Sequence, residues 1–271
     1  MKDRKAFTLI ELLVVISVIV MLIALLLPAL QLVKKQAQAV VCQTRLRHLG
    51  QLAAMRAHDD HLKERRLPDS TRTWLQGFGV WDLLRDNPEH SELALCPSAS
   101  KLLHETAGTR QPWGDTFHSF RVKDRGFEGN KISYGINYWI SIYSNSRGRS
   151  WNTFNEKGAS YIPVFFDCAT SGVSPYDACP PREFEHIAFE EKFFSNILPG
   201  TLVSDMSQVC INRHNGDINM LFMDWSVRKV GLKELWTLKW HRQYDTAGPW
   251  TKAGGVQASA WPAWMRRFQD Y

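Results

Sequence analysis

Hydrophobic residues are unevenly distributed along this chain of 271 residues, and the longest apolar run lies near its N-terminus. Residues 12–33 contain no charged side chain, and Glu11 is the single charge within residues 6–33. At a rise of about 1.5 Å per residue, a helix over residues 12–33 spans roughly 30 Å, the hydrocarbon thickness of a bilayer. The pattern therefore predicts one transmembrane helix, which we assign to residues 7–33.

A second helical pattern follows in residues 34–66, which are predicted to continue the same helix as an amphipathic segment. Its apolar residues recur on one helix face: Val41 or Cys42, Leu46, Leu49 and Ala53. The helix should end near Arg65, because the residue preceding Pro68 disfavours the α conformation. The basic side chains of this segment are either solvated or in contact with acidic lipid headgroups, and the apolar face packs on a globular domain, residues 67–271.

Beyond residue 67 the helical pattern gives way to short strand-like segments between turn signals. Strands are predicted at residues 132–140 and 161–166, and a hairpin at residues 218–223 and 226–230. One further short helix is predicted within residues 232–240. A long N-terminal helix followed by short antiparallel strands indicates an α+β fold, with the helix packed on an antiparallel sheet.

Composition excludes several classes of function. The chain has 33 Lys and Arg against 27 Asp and Glu, and the net charge of +6 is spread diffusely. A nucleic-acid binder shows a clustered basic stripe instead, so no nucleic-acid partner is expected. The sequence also lacks a nucleophile elbow, an H-E-x-x-H zinc motif, a P-loop and a dinucleotide fingerprint, so no enzymatic activity is predicted.

The start of the apolar run resembles the class III signal of type IV prepilins and type II secretion pseudopilins. The residues that carry this resemblance are Ala6-Phe7-Thr8-Leu9-Ile10-Glu11-Leu12-Leu13. The resemblance implies that residues 1–6 are a leader peptide, that prepilin peptidase cuts between Ala6 and Phe7, and that Phe7 is then N-methylated. The family usually has Gly before the cut, where this chain has Ala6. A pilin-like fold is the corresponding expectation.

Two positions within the helix have assembly roles in that family. Glu11 matches the fifth residue of the mature chain, whose carboxylate pairs with the N-terminal amine of a neighbouring subunit. Pro28 falls where family members carry a helix kink. The alternative for Glu11 is that its side chain simply reaches the lipid headgroups, because a carboxylate inside a bilayer is costly.

The charge flanks of the apolar run predict the membrane orientation. Lys2, Arg4 and Lys5 precede it, so the N-terminus is expected in the cytoplasm and the globular domain in the periplasm or outside the cell. The chain is then a single-pass inner-membrane protein that contacts lipid and other pilin-like subunits. A cleavable secretory signal is the competing interpretation, but its apolar region spans about 7–15 residues, and residues 27–31 form a poor cleavage site.

A second resemblance lies in residues 212–227 and concerns the C-terminal H-x9-D-G element of a prepilin-processing-associated family. His214 and Asp224 have the required spacing, whereas Trp225 replaces the glycine. An Asp-Gly hairpin turn needs positive φ angles, which are costly for Trp. Cys42-Gln43-Thr44-Arg45-Leu46, Cys96-Pro97-Ser98 and Tyr134-Gly135-Ile136-Asn137 are further fragments like that family.

The acidic residues near this element raise the question of a cation. Some pseudopilins hold calcium near their C-terminal loops, so His214, Asp217 and Asp224 are a candidate set. Calcium prefers six to eight oxygen ligands, and the usual D-x-[DN]-x-[DN]-G loop is absent from the sequence. A structural hairpin is therefore the preferred interpretation, with no cofactor expected and calcium as the alternative.

The chain contains five cysteines, and an exported domain meets an oxidising compartment. Cys168 and Cys179 are separated by a loop able to close a disulfide. Cys42 and Cys96 both fall in fragments of the family resemblance, so a second disulfide could tie the helix to the domain. Cys210 is left over in that pairing, and sequence alone does not determine the connectivity.

The last 36 residues hold five of the eleven Trp side chains, including Trp250, Trp261 and Trp264. These rings either cover the core from outside or stack on sugars. The sequence thus predicts a pseudopilin-like structural subunit of a type II secretion or type IV pilus-like assembly. The alternative is a membrane-anchored envelope protein that binds extracellular polysaccharide through an aromatic surface.

Overall fold

The computed structural model describes residues 9–63, 88–102, 114–121, 131–140, 148–151, 156–185 and 205–271. Helix α1 (Leu9–Lys63) is followed by a β-rich domain whose described residues include the short helix α2 (Asp205–Val209). The predicted α+β, pilin-like arrangement of a long N-terminal helix and a sheet domain is confirmed.

The described strands form two sheets. The smaller sheet contains β1 (Lys101–Leu102), β2 (His118–Arg121) and β3 (Lys131–Ile132). The larger contains β4 (Tyr134–Asn137), β5 (Pro163–Asp167), β6 (Gly172–Val173), β7 (Asp217–Phe222) and β8 (Val227–Gly231), in the order β6-β4-β5-β7-β8. The predicted sheet is antiparallel, but β6 runs parallel to β4 and β1 parallel to β2. A single chain reversal after β5, itself antiparallel to β4, produces the parallel β4–β6 pair.

The predicted hairpin is formed by β7 and β8, with Ile218 opposite Val230 and Met220 opposite Arg228. Its turn places Trp225 at a φ of 65°, so this chain tolerates the left-handed conformation that a glycine would adopt more easily. That conformation costs a non-glycine residue about 1–2 kcal/mol. The Asp224 carboxylate accepts hydrogen bonds from the Ser226 amide and hydroxyl, at 3.0 and 2.6 Å, which stabilises the turn.

One face of α1 packs on the larger sheet. The buried residues of this face are Ala39, Cys42, Leu46, Leu49 and Ala53, which follow the predicted helical spacing. Val41 is 43% exposed, so Cys42 is the member of that predicted pair that faces the domain. At Gly50 a β-carbon would lie 2.7 Å from Leu221 Cδ1, so glycine lets α1 approach β7 closely.

The central strand β5 is buried along its whole length, because α1 covers one face of the sheet and the C-terminal region covers the other. Successive side chains of a strand point to opposite faces. Asp167 accordingly points towards Cys42 of α1, whereas the Phe166 ring packs edge-on against Trp240 at a centroid distance of 5.2 Å. Trp236 and Trp261 are also fully buried, so these rings form part of the core.

The N-terminal part of α1, residues 9–33, extends away from the domain, and we call it the apolar arm. Its large hydrophobic side chains are between 48% and 88% exposed. The helix continues through Pro28, whose missing N–H leaves the Ala24 carbonyl without its usual helical donor. Within the described residues, α1 is the one helix long and apolar enough to cross a membrane.

Candidate functional site

The residues predicted to act in processing and assembly lie at the start of the chain. Ala6 and Phe7 fall outside the described residues. Glu11 lies in the first turn of α1 and is exposed, and it is the only charged residue of the apolar arm. The structure therefore places one carboxylate on a helical surface of mostly apolar side chains, and its role in assembly stays a prediction.

A second site is buried between α1 and the larger sheet, and its centre is Asp167 at the end of β5. Arg213 Nη1 donates to Asp167 Oδ1 at 2.9 Å. His214 Nε2 lies 3.1 Å from Asp167 Oδ2, and the Asn219 amide donates to the same oxygen at 2.9 Å. Asp167 thus joins β5, the segment before β7 and β7 itself.

Arg213 is a buried clamp between segments that are far apart in sequence. Besides Asp167, its guanidinium donates to four backbone carbonyls, those of Asp115, Thr116, Ser133 and Cys168, at 3.1, 2.9, 2.7 and 3.2 Å. A guanidinium has five N–H donors in a rigid fork, so this position uses nearly all of them. Arg213 therefore neutralises the buried carboxylate and also fixes the local course of the chain.

Two cysteines complete the cluster. Cys42 Sγ, from α1, lies 3.6 Å from Asp167 Oδ2, and the Tyr134 hydroxyl donates to that sulfur at 3.1 Å. Cys96 Sγ lies 3.4 Å from His214 Nε2. The potential ligand atoms of Cys42, Cys96, Asp167 and His214 all lie within 4.8 Å of one another, and all four residues are buried. We call this group the CCDH cluster.

The electrostatics of the CCDH cluster favour the charged forms of Asp167, His214 and Cys96, whereas burial raises the pKa of the Cys42 thiol well above its usual value. Burial alone raises the pKa of Asp167, but His214 and Arg213 outweigh it and hold that pKa well below its usual range. Burial lowers the pKa of His214, and the Asp167 carboxylate overcomes this and raises it to about 9. For Cys96, burial is opposed by hydrogen bonds from Cys42 and His214 and by the charge of Arg213, which bring the pKa to about 6.

The CCDH cluster does not have the geometry of a cysteine–histidine–aspartate catalytic relay. In such a relay the nucleophile contacts one ring nitrogen and the acid orients the other. Here Cys96 Sγ and Asp167 Oδ2 both approach Nε2 of His214. Four ligand side chains of three types converging on one point are instead typical of a metal site.

The side chains of the three candidate calcium ligands do not form one cluster in the structure. The carbonyl of Asp217 accepts a hydrogen bond from the His214 amide at 3.0 Å, but the His214 ring points into the CCDH cluster. Asp224 lies in the turn after β7, and a strand of this length spans about 20 Å. The H-x9-D spacing therefore corresponds to a buried histidine and a turn aspartate at opposite ends of one strand.

All five cysteines are free thiols in the structure, and all are buried. Neither predicted disulfide is formed. Cys42 and Cys96 nevertheless meet in the CCDH cluster, as the predicted tie between helix and domain requires. Cys168 Sγ faces the Gln208 carbonyl at 3.4 Å, and Cys179 accepts a hydrogen bond from Trp236 through its own carbonyl.

The aromatic C-terminal region lines an open surface depression of about 650 Å³. Trp261 is 1% exposed and packs edge-on against Trp236 at 5.4 Å, so it contributes to the core. Trp250 and Trp264 are half-buried, and Trp264 Nε1 donates to the Arg182 carbonyl at 3.0 Å. Only the partly exposed rings are placed to contact a ligand.

Comparison with known proteins identifies the N-terminal segment alone. Residues 1–27 match the family described as the prokaryotic N-terminal methylation motif. No curated protein and no solved structure matches the chain. This matched segment contains Phe7, Glu11 and most of the apolar arm. The chain thus carries a prepilin-type N-terminal methylation motif on a long apolar helix, a combination that fits a prepilin-like or pseudopilin-like protein.

Proposed function

We propose that this protein is a pseudopilin-like structural subunit of a type II secretion or type IV pilus-like assembly. Prepilin peptidase removes residues 1–6 and Phe7 is N-methylated. The apolar arm first anchors the chain in the inner membrane, with the domain on the periplasmic or outer side, and then packs against arms of other subunits in a fibre.

The observation that carries this proposal is the apolar arm together with the methylation motif at its start. Only the second half of α1 packs on the domain, and the large hydrophobic side chains of the arm are exposed. Exposed apolar side chains along such a length must be buried in lipid or against other apolar helices. A fibre core of parallel arms satisfies the same requirement after the subunit leaves the bilayer.

Glu11 supplies the register of that fibre. It lies four residues after Phe7, about one helical turn, so the carboxylate is close to the level of the N-terminal amine. In an apolar helix bundle, opposite charges attract strongly and an unpaired charge is costly. Pairing between Glu11 of one subunit and the Phe7 amine of another therefore selects one axial offset between adjacent arms.

The alternative function, an anchored binder of extracellular polysaccharide, is favoured by the surface depression near Trp250 and Trp264. It assigns the apolar arm to lipid alone and requires no contact between arms. The two functions therefore differ in whether the arms of neighbouring subunits contact one another, which can be measured directly.

A single added cysteine in the arm distinguishes the two functions. All five natural cysteines are buried, so a Leu25→Cys chain carries one accessible thiol, at a position that is 69% exposed. In native membranes that contain the peptidase and the partner subunits, we expect thiol crosslinking to give dimers and higher oligomers. Immunoblotting of non-reducing gels is the measurement.

The control is a second added cysteine that lies outside the apolar arm. Met55→Cys, at an exposed position on the domain-proximal part of α1, should give much weaker crosslinking. Crosslinking of Leu25→Cys at the level of random collisions in the bilayer, together with retention of polysaccharide on the purified protein, would support the alternative.

A further inference from the structure

The CCDH cluster brings together two thiols, a carboxylate and an imidazole from four separate parts of the chain. Cys42 comes from α1, Cys96 from the segment before the 3₁₀ helix Pro97–Ala99, Asp167 from the end of β5 and His214 from the segment before β7. We propose that this cluster is a structural binding site for one tetrahedral zinc ion that fastens the assembly helix to the globular domain.

The distances between the ligand atoms agree with tetrahedral zinc. Zinc bonds of about 2.3 Å to sulfur and about 2.0–2.2 Å to nitrogen or oxygen give ligand-to-ligand distances of roughly 3.3–3.8 Å. Two of the observed distances lie in this range, 3.4 Å for Cys96 Sγ to His214 Nε2 and 3.6 Å for Cys42 Sγ to Asp167 Oδ2, and His214 Nε2 lies slightly closer to Asp167 Oδ2, at 3.1 Å. All four ligand atoms lie within 4.8 Å of one another, so no pair has to close by more than about 1 Å to receive the ion.

Charge balance also supports a divalent ion. Two thiolates and one carboxylate carry three negative charges, which Zn²⁺ and the guanidinium of Arg213 neutralise. Each ligand must be deprotonated to bind the ion, so binding releases the protons that the thiols and the imidazole still carry.

The surroundings orient the ligands as a second layer does in metal sites. Arg213 holds Asp167 through Oδ1, and the other oxygen, Oδ2, lies 3.1 Å from His214 Nε2. The Tyr134 hydroxyl donates to Cys42 Sγ, which stabilises a thiolate. The amide of Asn219 occupies one lone pair of Oδ2, leaving the other for the metal.

The ligand set selects zinc over the calcium considered from sequence. Calcium takes six to eight oxygens, whereas this cluster offers one carboxylate and two sulfurs. Tetrahedral sites of mixed sulfur and nitrogen ligands are typical of zinc. All four ligands come from protein and are buried, so the site is closed, as structural zinc sites are.

A zinc ion at this site would strengthen the mechanical link between α1 and the domain. A zinc ion links α1 to three segments of the domain, so force or displacement on the apolar arm is transmitted to the folded domain through a coordinated centre. This role is separate from processing at Phe7 and from pairing at Glu11, and its test does not depend on either.

The test is metal analysis of the full chain, purified in detergent without chelators and exposed to zinc under reducing conditions. We expect about one zinc per chain by mass spectrometry of the elements. Cys42→Ser and Cys96→Ser should lose at least nine-tenths of it. Cys210→Ser, which alters an equally buried thiol outside the cluster, should retain the ion.

A second measurement uses the unaltered chain, so its result does not depend on whether the variants fold. Replacing zinc by Co²⁺ should produce the visible absorption of tetrahedral cobalt and a near-ultraviolet thiolate charge-transfer band. Absence of both zinc and the cobalt spectrum, with five free thiols after denaturation, would overturn the proposal. So would a metal-free protein whose peptide map shows a Cys42–Cys96 disulfide.

Discussion

Replacing Glu11 by Gln is expected to block fibre assembly while leaving membrane insertion and leader cleavage intact. The substitution removes the only charge of the apolar arm and preserves the shape of the side chain. A neighbour's N-terminal ammonium is then buried without its partner, at a cost of about 3–5 kcal/mol. Insertion of the monomer should not suffer, because a neutral amide enters lipid more easily than a carboxylate.

Crosslinking through Leu25→Cys measures this effect directly. We expect the Glu11→Gln chain to lose most of the oligomer ladder, or to crosslink in a shifted pattern when the added cysteine is moved along the arm. Asp3→Asn is the matched control, since it removes the same charge from the leader that is discarded on cleavage. Equal crosslinking of Glu11→Gln and the parent chain would remove the assembly role of this carboxylate.

The second large effect is expected at Arg213. Arg213→Met keeps a side chain of similar length but leaves the Asp167 carboxylate without its guanidinium and removes one donor from each of four carbonyls. Removing one partner of a buried ion pair costs about 3–5 kcal/mol. The whole stability of a typical domain is about 5–15 kcal/mol, so this loss is large. Urea unfolding followed by the fluorescence of the buried tryptophans measures it.

The control for Arg213 is another arginine in an ion pair. Arg228 Nη1 lies 2.7 Å from Glu234, but its side chain is 36% exposed. Surface pairs contribute about 0–1 kcal/mol, so Arg228→Met should shift the unfolding midpoint only slightly. Similar losses for the two variants would show that the Arg213 network is not a main source of domain stability.

The packed face of α1 and the β7–β8 hairpin could be predicted from the sequence, because each depends on a local pattern of apolar residues. The helical spacing of Cys42, Leu46, Leu49 and Ala53 defined the face of α1 that packs on the sheet, because burial follows the helical period. The alternation in residues 218–230 predicted the β7–β8 hairpin. Each of these two signals is carried by residues that are close together in the chain, so tertiary structure was not needed to recognise it.

The CCDH cluster was not predictable in the same way. The family resemblance places Cys42 near Cys96, but nothing in the spacing of the residues shows that His214 joins them. Asp167 was missed, although a signal exists: it is a carboxylate directly after the apolar segment of residues 161–166. A charge at the end of a buried strand requires a partner, and that partner, Arg213, lies 46 residues away.

The parallel pairing of β6 with β4 also could not be predicted from sequence patterns. β6 contains only Gly172 and Val173, too short for a periodic signal. Its position depends on a chain reversal after β5 and on backbone hydrogen bonds such as that from the Tyr138 amide to the Val173 carbonyl, at 2.9 Å. Such pairing is decided by tertiary contacts, which a single sequence does not display.

Intact-mass analysis of the protein from its native membrane tests the central claim most directly. The account predicts a chain that begins at Phe7, lacks residues 1–6 and carries one additional methyl group on its N-terminal amine. Fragmentation of the N-terminal peptide locates that group. A mature membrane pool that still retains Met1 and carries no methyl group would contradict the claim that this chain is processed as a prepilin.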